Sequence, residues 1–133
     1  DELDLMARTL WGEARSQSDR EIEAIAHVIV NRVESPRWPA TFDGVIKDPF
    51  QFTVWNEGDP NRPLMVRLRS ESDDYQRVFA IALDVVSRRY MRETDPTGGM
   101  THYVHGEATP YWAATAISAI QVGKARFFKL RRP

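Results

Sequence analysis

The stretch LDLMARTLWGEARSQSDREIEAIAHVIVNRV, residues 3–33, decides the fold because it carries two helical patterns in succession. In its first part, apolar residues recur at i, i+3, i+4, i+7, i+8 and i+11 from Leu3 to Ala14. Ser18 followed by Glu21 then forms a capping box, which predicts the start of a second helix. This helix continues on one apolar face and ends before Pro36. The sequence therefore predicts two consecutive amphipathic helices.

The rest of the chain predicts further helices joined by proline-rich loops and short strands. Helical spacing returns after residue 72, and Thr109-Pro110 and Gly123 have the form of a start and a stop signal for a last helix. Phe127-Phe128 is expected to fold back onto the core. The predicted helices cover residue 7 or earlier to 12, 19–34, 72–90 and 110–121, and β-segments are predicted at Val45-Ile46, between 50 and 55, and near 101–104. No repeat or linker interrupts the chain, so residues 1–133 are expected to form one α+β domain dominated by helices.

The composition excludes several classes of function. Eighteen basic and nineteen acidic residues leave a net charge of -1, so the chain lacks the positive field of a nucleic-acid-binding protein. It has no cysteine for disulfides or thiol chemistry, and no apolar run approaches the roughly twenty residues of a membrane span. No signal peptide pattern is present, and a start at Asp1 is compatible with removal of a leader or of a larger parent protein. We expect a soluble monomer.

Glu13 is the candidate for acid chemistry. It follows Leu10, Trp11 and Gly12, so its carboxyl lies beside an aromatic ring where the first helix ends. Burial disfavours the charged form of a carboxyl, and a glycosidase acid has to hold its proton near neutral pH until it reaches the leaving-group oxygen. The same position equally suits an exposed glutamate paired with a neighbouring arginine, which is the commoner role of a surface glutamate.

Aromatic and histidine side chains supply the other candidates. Aromatic faces stack on sugar rings, although core packing is expected to account for about half of the set Trp38, Trp55, Tyr75, Tyr103, Tyr111 and Trp112. Trp55, beside a polar loop, is the better groove candidate, and Trp112, inside a predicted helix, the better core candidate. His102 and His105, with Glu107, suggest a metal site only weakly, because residues three apart in a strand point to opposite faces. We expect no metal and no cofactor.

Several segments, taken in their order along the chain, resemble one family. They are residues 7–15 (ARTLWGEAR), 25–33 (IAHVIVNRV), Gln51-Phe52 with Trp55-Asn56, 95–99 (DPTGG) with His102-Tyr103, and 110–112 (PYW). This set is similar to the spore cortex-lytic enzyme family of cell wall hydrolases, and the similarity extends from about residue 5 to residue 128. One departure is Ala125, which stands where family members usually carry a histidine.

The resemblance implies a lysozyme-like domain in which a small β-region forms one wall of a sugar-binding cleft. Glu13 matches the family's catalytic glutamate, which protonates the bond between N-acetylmuramic acid and N-acetylglucosamine. In lytic transglycosylase action the muramic acid 6-hydroxyl then closes on its own anomeric carbon, so one carboxyl suffices. The resemblance also implies that five residues contact the glycan: Gln51, Phe52, Trp55, His102 and Tyr103.

Other functions remain open from the sequence. A hydrolytic muramidase, such as a phage endolysin, needs a second carboxylate, for which the loop residues Asp43, Asp48, Asp59 and Asp95 are candidates. A zinc-dependent amidase or peptidase would use His102 and His105, and a non-catalytic module would bind the wall through its aromatics. In each case the expected partner is peptidoglycan, met in the periplasm or outside the cell after secretion or phage delivery.

Overall fold

The computed structural model describes residues 1–47, 52–105 and 109–130. It contains five α-helices, three 3₁₀ turns and three strands within these ranges. The helices are α1 (Glu2–Ala14), α2 (Asp19–Val33), α3 (Phe42–Ile46), α4 (Asn61–Arg67) and α5 (Asp73–Ser87). The 3₁₀ turns are Thr53–Trp55, Arg92–Thr94 and Tyr111–Thr115, and the strands are β1 (His102–His105), β2 (Ala116–Val122) and β3 (Ala125–Leu130). The fold is α+β and mainly helical, which confirms the predicted class.

The helical layer forms because α1 and α2 bury the apolar faces that the sequence predicts. The Ser18 hydroxyl accepts a hydrogen bond from the Glu21 amide at 3.2 Å, so the predicted cap starts α2. Helix α1 packs against α4 and α5, and α2 packs against α3 and α5. The core between them contains fully buried residues from both helices, among them Met6, Leu10, Ile22, Ile25 and Ile29. These helices fix the position of Glu13 at the end of α1.

The sheet has the strand order β1-β3-β2 and is antiparallel throughout. Val122 pairs with Ala125, so Gly123 and Lys124 form a two-residue hairpin turn. Gly123 has a φ of +60°, which is the conformation that the first central residue of such a turn requires. Phe127 and Phe128 of β3 are buried, which confirms that this segment folds back onto the core.

Several predicted elements were wrong. Residues 110–121 are not a helix, since they form a 3₁₀ turn followed by strand β2; pairing with β3 overrides the local helical pattern. Accordingly, Gly123 turns a hairpin instead of ending a helix. Val45-Ile46 lies in α3, and Thr53–Trp55 is a 3₁₀ turn, while residues 50 and 51 lie outside the described residues. Helix α4 was missed; its Pro63 sits in the first turn, where a missing N–H breaks no helical hydrogen bond.

Candidate active site

Glu13 lies in the last turn of α1 and contributes to the wall of a cavity of about 700 Å³. The facing walls come from Arg32 of α2, from strand β1, and from the turn that follows it. The lining residues are Glu13, Arg32, His102, Tyr103, Val104, His105, Pro110, Tyr111, Trp112 and Leu130. A helix end, a second helix and the small sheet thus meet around one half-buried carboxyl group.

The environment of Glu13 raises its pKa from 4.5 to about 7. Burial contributes most, because removing a carboxylate from water disfavours its charged form, and the negative charge of Asp59 adds to the effect. The positive charge of Arg32 and a hydrogen bond from Tyr103 act in the opposite direction. Glu13 therefore keeps its proton up to neutral pH, while two groups remain in place to stabilise the carboxylate once the proton has left.

Tyr103 is held against Glu13 by aromatic packing. Its ring is stacked on Phe127 with centroids 5.8 Å apart and lies 6.3 Å from the ring of Phe52. Burial and then the nearby charge of Glu13 raise the pKa of Tyr103 well above 10, so its hydroxyl stays protonated and donates its hydrogen bond to the Glu13 carboxylate. The sheet therefore supplies a fixed neutral donor to the acid.

Arg32 places a positive charge on the same cavity. Its side chain is only 4% exposed, and its Nε donates a 2.7 Å hydrogen bond to the Thr101 carbonyl oxygen. The guanidinium carbon lies 5.4 Å from the ring centroids of both Trp38 and Phe52, which is a cation–π distance. The hydrogen bond and the two rings fix this charge so that it acts on Glu13 at constant range.

The two histidines of β1 diverge, as expected for residues three apart in a strand. The His102 ring lies between Trp38 and Trp112, at centroid distances of 5.5 and 5.2 Å. Burial, followed by the charges of Arg32 and Arg37, lowers the pKa of His102 to about 4, so this imidazole is neutral at physiological pH. His105 instead turns its Nδ1 toward Glu21, 3.5 Å from Oε2. Among the described residues, no three histidine, aspartate or glutamate side chains converge as metal ligands do, and Glu107 lies outside these residues.

The predicted glycan-contacting residues separate into groups. His102 and Tyr103 line the same cavity as Glu13. Phe52 does not, because it is fully buried and supports Tyr103 and Arg32 from behind. Trp55 also lies outside the lining, since its Nε1 donates a 2.7 Å hydrogen bond to Thr9 and its ring packs on the core. Gln51 lies outside the described residues. The prediction that Phe52 contacts the glycan directly is therefore wrong, because its side chain is fully buried, and contact between Trp55 and the glycan stays a prediction.

The prediction that Trp112 lies in the core was wrong. It sits in a 3₁₀ turn, is incompletely buried and lines the cavity, because its predicted helix does not exist. Tyr111 beside it is 92% exposed at the cavity rim. Arg32 was not predicted as a site residue, although the sequence carries a signal for it. It follows Ile25 at i+7 and Ile29 at i+3, so a charged residue occupies the buried stripe of α2.

The four candidate second carboxylates lie in different settings. Asp59 is the one whose charge acts on Glu13. Asp95 has a structural role, because its carboxylate accepts hydrogen bonds from Thr97 and Gly99 of its own loop and from Asn31 of α2. Asp43 is an exposed residue of α3 with Lys47 at 3.1 Å, and Asp48 lies outside the described residues. Within the described part of the chain, Glu13 is the only acidic residue that lines the cavity.

A mainly helical domain, with a protonated carboxyl at a helix end facing a small sheet, defines a lysozyme-like fold. The sequence matches the family described as Cell Wall Hydrolase over residues 16–128, and the chain belongs to this family. This match begins after Glu13, whose candidacy as the acid therefore rests on the geometry of the cavity.

Individual relatives agree with the family. The chain is 31% identical over 127 residues to the spore cortex-lytic enzyme of Halalkalibacterium halodurans, covering 95% of this chain and 34% of that protein. It is 32% identical over 129 residues to the spore cortex-lytic enzyme of Oceanobacillus iheyensis, covering 96% and 41%. The chain thus spans less than half the length of these relatives.

Solved structures are similar over nearly the whole fold. One is the catalytic domain of the germination-specific lytic transglycosylase SleB from Bacillus anthracis, with 29% identity and a TM-score of 0.73 over 96% of this chain and 93% of that chain. Another is the catalytic domain of the Bacillus cereus SleB protein, with 30% identity and a TM-score of 0.74 over 96% and 89%. The similarity therefore extends over nearly all of this chain and most of both solved domains.

Proposed function

We propose that this chain cleaves the glycan strand of peptidoglycan as a lytic transglycosylase, with Glu13 as its acid and base. The observation that carries the proposal is the Glu13 carboxyl, whose pKa is raised to about 7 in the wall of an open cavity. The similar Bacillus anthracis domain belongs to a lytic transglycosylase, which supports the same chemistry. Residues 1–133 act in this proposal as one catalytic domain.

The first step requires a proton at the glycosidic oxygen. Glu13 donates it between N-acetylmuramic acid and N-acetylglucosamine, so the C1–O bond breaks as the leaving sugar takes up the proton. Arg32 and the Tyr103 hydroxyl then stabilise the Glu13 carboxylate, because both favour its charged form. General acid catalysis of this kind contributes about 10²- to 10⁴-fold to the rate.

The second step uses the same carboxylate as a base. It accepts the proton of the muramic acid 6-hydroxyl while that oxygen bonds to the anomeric carbon, and a 1,6-anhydro end results. Glu13 returns to its protonated form, so the cycle closes with no water consumed. One carboxyl is sufficient, which agrees with Glu13 as the only acid among the described residues of the cavity lining.

Hydrolytic muramidase action is the second candidate, and the effect of Asp59 on Glu13 favours it. A glycosidase that uses water has its two carboxyl groups about 5 to 9.5 Å apart. Asp59 is close enough for its charge to raise the pKa of Glu13. In that case Asp59 would activate a water molecule or form the glycosyl intermediate, and the product would carry an ordinary reducing end.

Digestion of purified sacculi in H₂¹⁸O, with mass spectrometry of the soluble fragments, distinguishes the two functions. Transglycosylase action gives anhydro ends without ¹⁸O, while hydrolysis gives ends that are heavier by one labelled water. Peptide fragments with intact glycan would instead identify an amidase or peptidase and overturn the proposal. Binding to sacculi without any soluble fragment would identify a non-catalytic module.

The proposed substrate places the chain at the cell wall, in the periplasm or outside the cell. Within the described ranges, no helix has both the length and the apolar character needed to cross a bilayer. Monomeric behaviour stays a prediction, which sedimentation of the purified chain would test.

A further inference from the structure

A second cavity, of about 800 Å³, adjoins the one that contains Glu13. It lies between the end of α2, the segment that contains the Arg92–Thr94 turn, and the outer part of the sheet. Leu130 lines both cavities, and Trp38 of the second cavity contacts His102 of the first at a centroid distance of 5.5 Å. The two cavities are therefore neighbours that share a wall, formed by Leu130 and by the contact between Trp38 and His102.

The second cavity carries charges that the fold does not use. Arg37, Arg92 and Lys129 line it, all three are exposed, and none forms an ion pair with another described residue. The lining also contains Arg89 and the acidic residues Glu34, Glu93 and Asp95, so its four cations face three carboxylates and leave one positive charge in excess. Cations that are neither paired nor part of the core are free to contact an anionic ligand.

The glycan strand of peptidoglycan carries an anionic group that could be such a ligand. Its peptide stem leaves from the lactyl group of N-acetylmuramic acid, the sugar whose bond Glu13 would cleave. The stem must therefore exit at an edge of the first cavity. It is a short peptide with several free carboxylates, and an amine in many cell walls, so a mixed lining with a cationic excess is complementary to it. A volume of about 800 Å³ is within the range of small-ligand sites.

We propose that the second cavity binds the acidic peptide stem of the glycan strand, with Arg37, Arg92 and Lys129 contacting its carboxylates. This inference rests on the proposed function, because the cleaved strand has to lie in the first cavity. It makes this chain an enzyme that prefers glycan with peptide stems to bare glycan. The cations act on substrate binding and not on proton transfer.

The test compares two substrates and two variants. The substrates are soluble glycan strands from purified sacculi, used before and after an amidase has removed their stems. The variant R92A/K129A removes two charges from the cavity. The control variant R20A/R69A removes two charges from exposed arginines outside both cavities.

We expect wild type to have a KM about three- to tenfold lower for strands with stems, the effect of three solvent-exposed ion pairs, at similar kcat. The R92A/K129A variant keeps Arg37 and should lose most of this preference, through a higher KM for strands with stems alone. The R20A/R69A variant should retain the preference. Equal KM values for both substrates in wild type would overturn the inference. So would an equal rise for both substrates in R92A/K129A, which would point to sugar binding or to general attraction of the strand.

A direct binding measurement separates this inference from the proposed function. If wild type cleaves neither substrate, the proposed function fails, and titration with free stem tetrapeptide decides the inference. A shift of the Trp38 indole resonance that is present in wild type and absent in R92A/K129A would support peptide binding at this cavity. No shift in wild type, or the same shift in both proteins, would overturn it.

Discussion

Replacement of Glu13 by Gln changes the chemistry of the site and almost nothing of its shape. The amide can still accept the Tyr103 hydrogen bond, but it can neither donate a proton to the glycosidic oxygen nor accept one from the 6-hydroxyl. We therefore expect turnover of sacculi to fall by at least about a hundredfold. An exposed glutamate that served only as an ion-pair partner would leave turnover nearly unchanged.

The same substitution makes a prediction about stability whose sign follows from the pKa of Glu13. This pKa rises from 4.5 in the unfolded chain to about 7 in the fold, so between these pH values the folded state binds more protons than the unfolded state. The free energy of unfolding of wild type therefore falls as pH rises from 4.5 to 7. At about 1.4 kcal/mol per pKa unit the loss is about 3 kcal/mol. Solvent screening of a half-buried group reduces it to ~1–2 kcal/mol.

Glu13→Gln removes this loss, because the amide does not titrate. We expect wild type and variant to have similar free energies of unfolding at pH 4, and the variant to be more stable by ~1–2 kcal/mol at pH 8. Urea unfolding followed by tryptophan fluorescence at both pH values measures the difference. Glu57→Gln, at an exposed position, is the matched control and should show no such gain.

A stability difference that does not change with pH would refute the raised pKa. Near-wild-type turnover by a folded Glu13→Gln variant would refute the mechanism as well. The histidines of β1 would then be the next candidates for catalysis. Loss of turnover together with the pH-dependent gain in stability is the combination that an activated acid requires.

The remaining predictions concern the neighbours of Glu13 and the hairpin turn. Tyr103→Phe removes a hydrogen bond that lowers the pKa of Glu13, so the alkaline limb of the rate profile should move to higher pH by about one unit or less. Asp59→Asn should move it to lower pH; retained anhydro product supports transglycosylase action, whereas a hundredfold loss would indicate a second catalytic carboxylate. Gly123→Ala, at a φ of +60° and with no room for a Cβ, should destabilise the fold by about 1–3 kcal/mol in urea, more than Gly58→Ala, which has open space.

The first two helices could be predicted because their signals are local. A capping box and an apolar stripe lie within residues 3–33 and need no distant partner. Strand β2 could not be predicted in this way, because its backbone is satisfied by β3, and the pairing of Val122 with Ala125 depends on the turn between them. The same Gly123 is compatible with a helix end or a hairpin turn, and the choice between them is made by the tertiary structure.

Site residues could be predicted from the sequence only where the neighbouring residues in the chain form their surroundings. Glu13 follows Trp11 and Gly12 at a helix end, which made it a candidate acid, but its position alone left burial and exposure both open. Phe52 packs behind the cavity and Trp55 packs on the core, because the resemblance gives the order of residues along the chain and not the direction of a side chain. Trp112 shows the opposite error: it was predicted to lie in the core because residues 110–121 were predicted as a helix, but it lines the cavity.

The balance of effects on Glu13 is matched to the two steps proposed for it. Burial and Asp59 alone would hold the proton so firmly that the carboxylate, once formed, would be costly in the first step. Arg32 and Tyr103 alone would leave Glu13 ionised and unable to act as an acid. With both pairs present the pKa lies at about 7, close to the optimum for a group that must give and then take a proton at neutral pH. The consecutive helices α1 and α2 have to pack against the distant strand β1 to set this value, so the pKa of Glu13 depends on the tertiary structure.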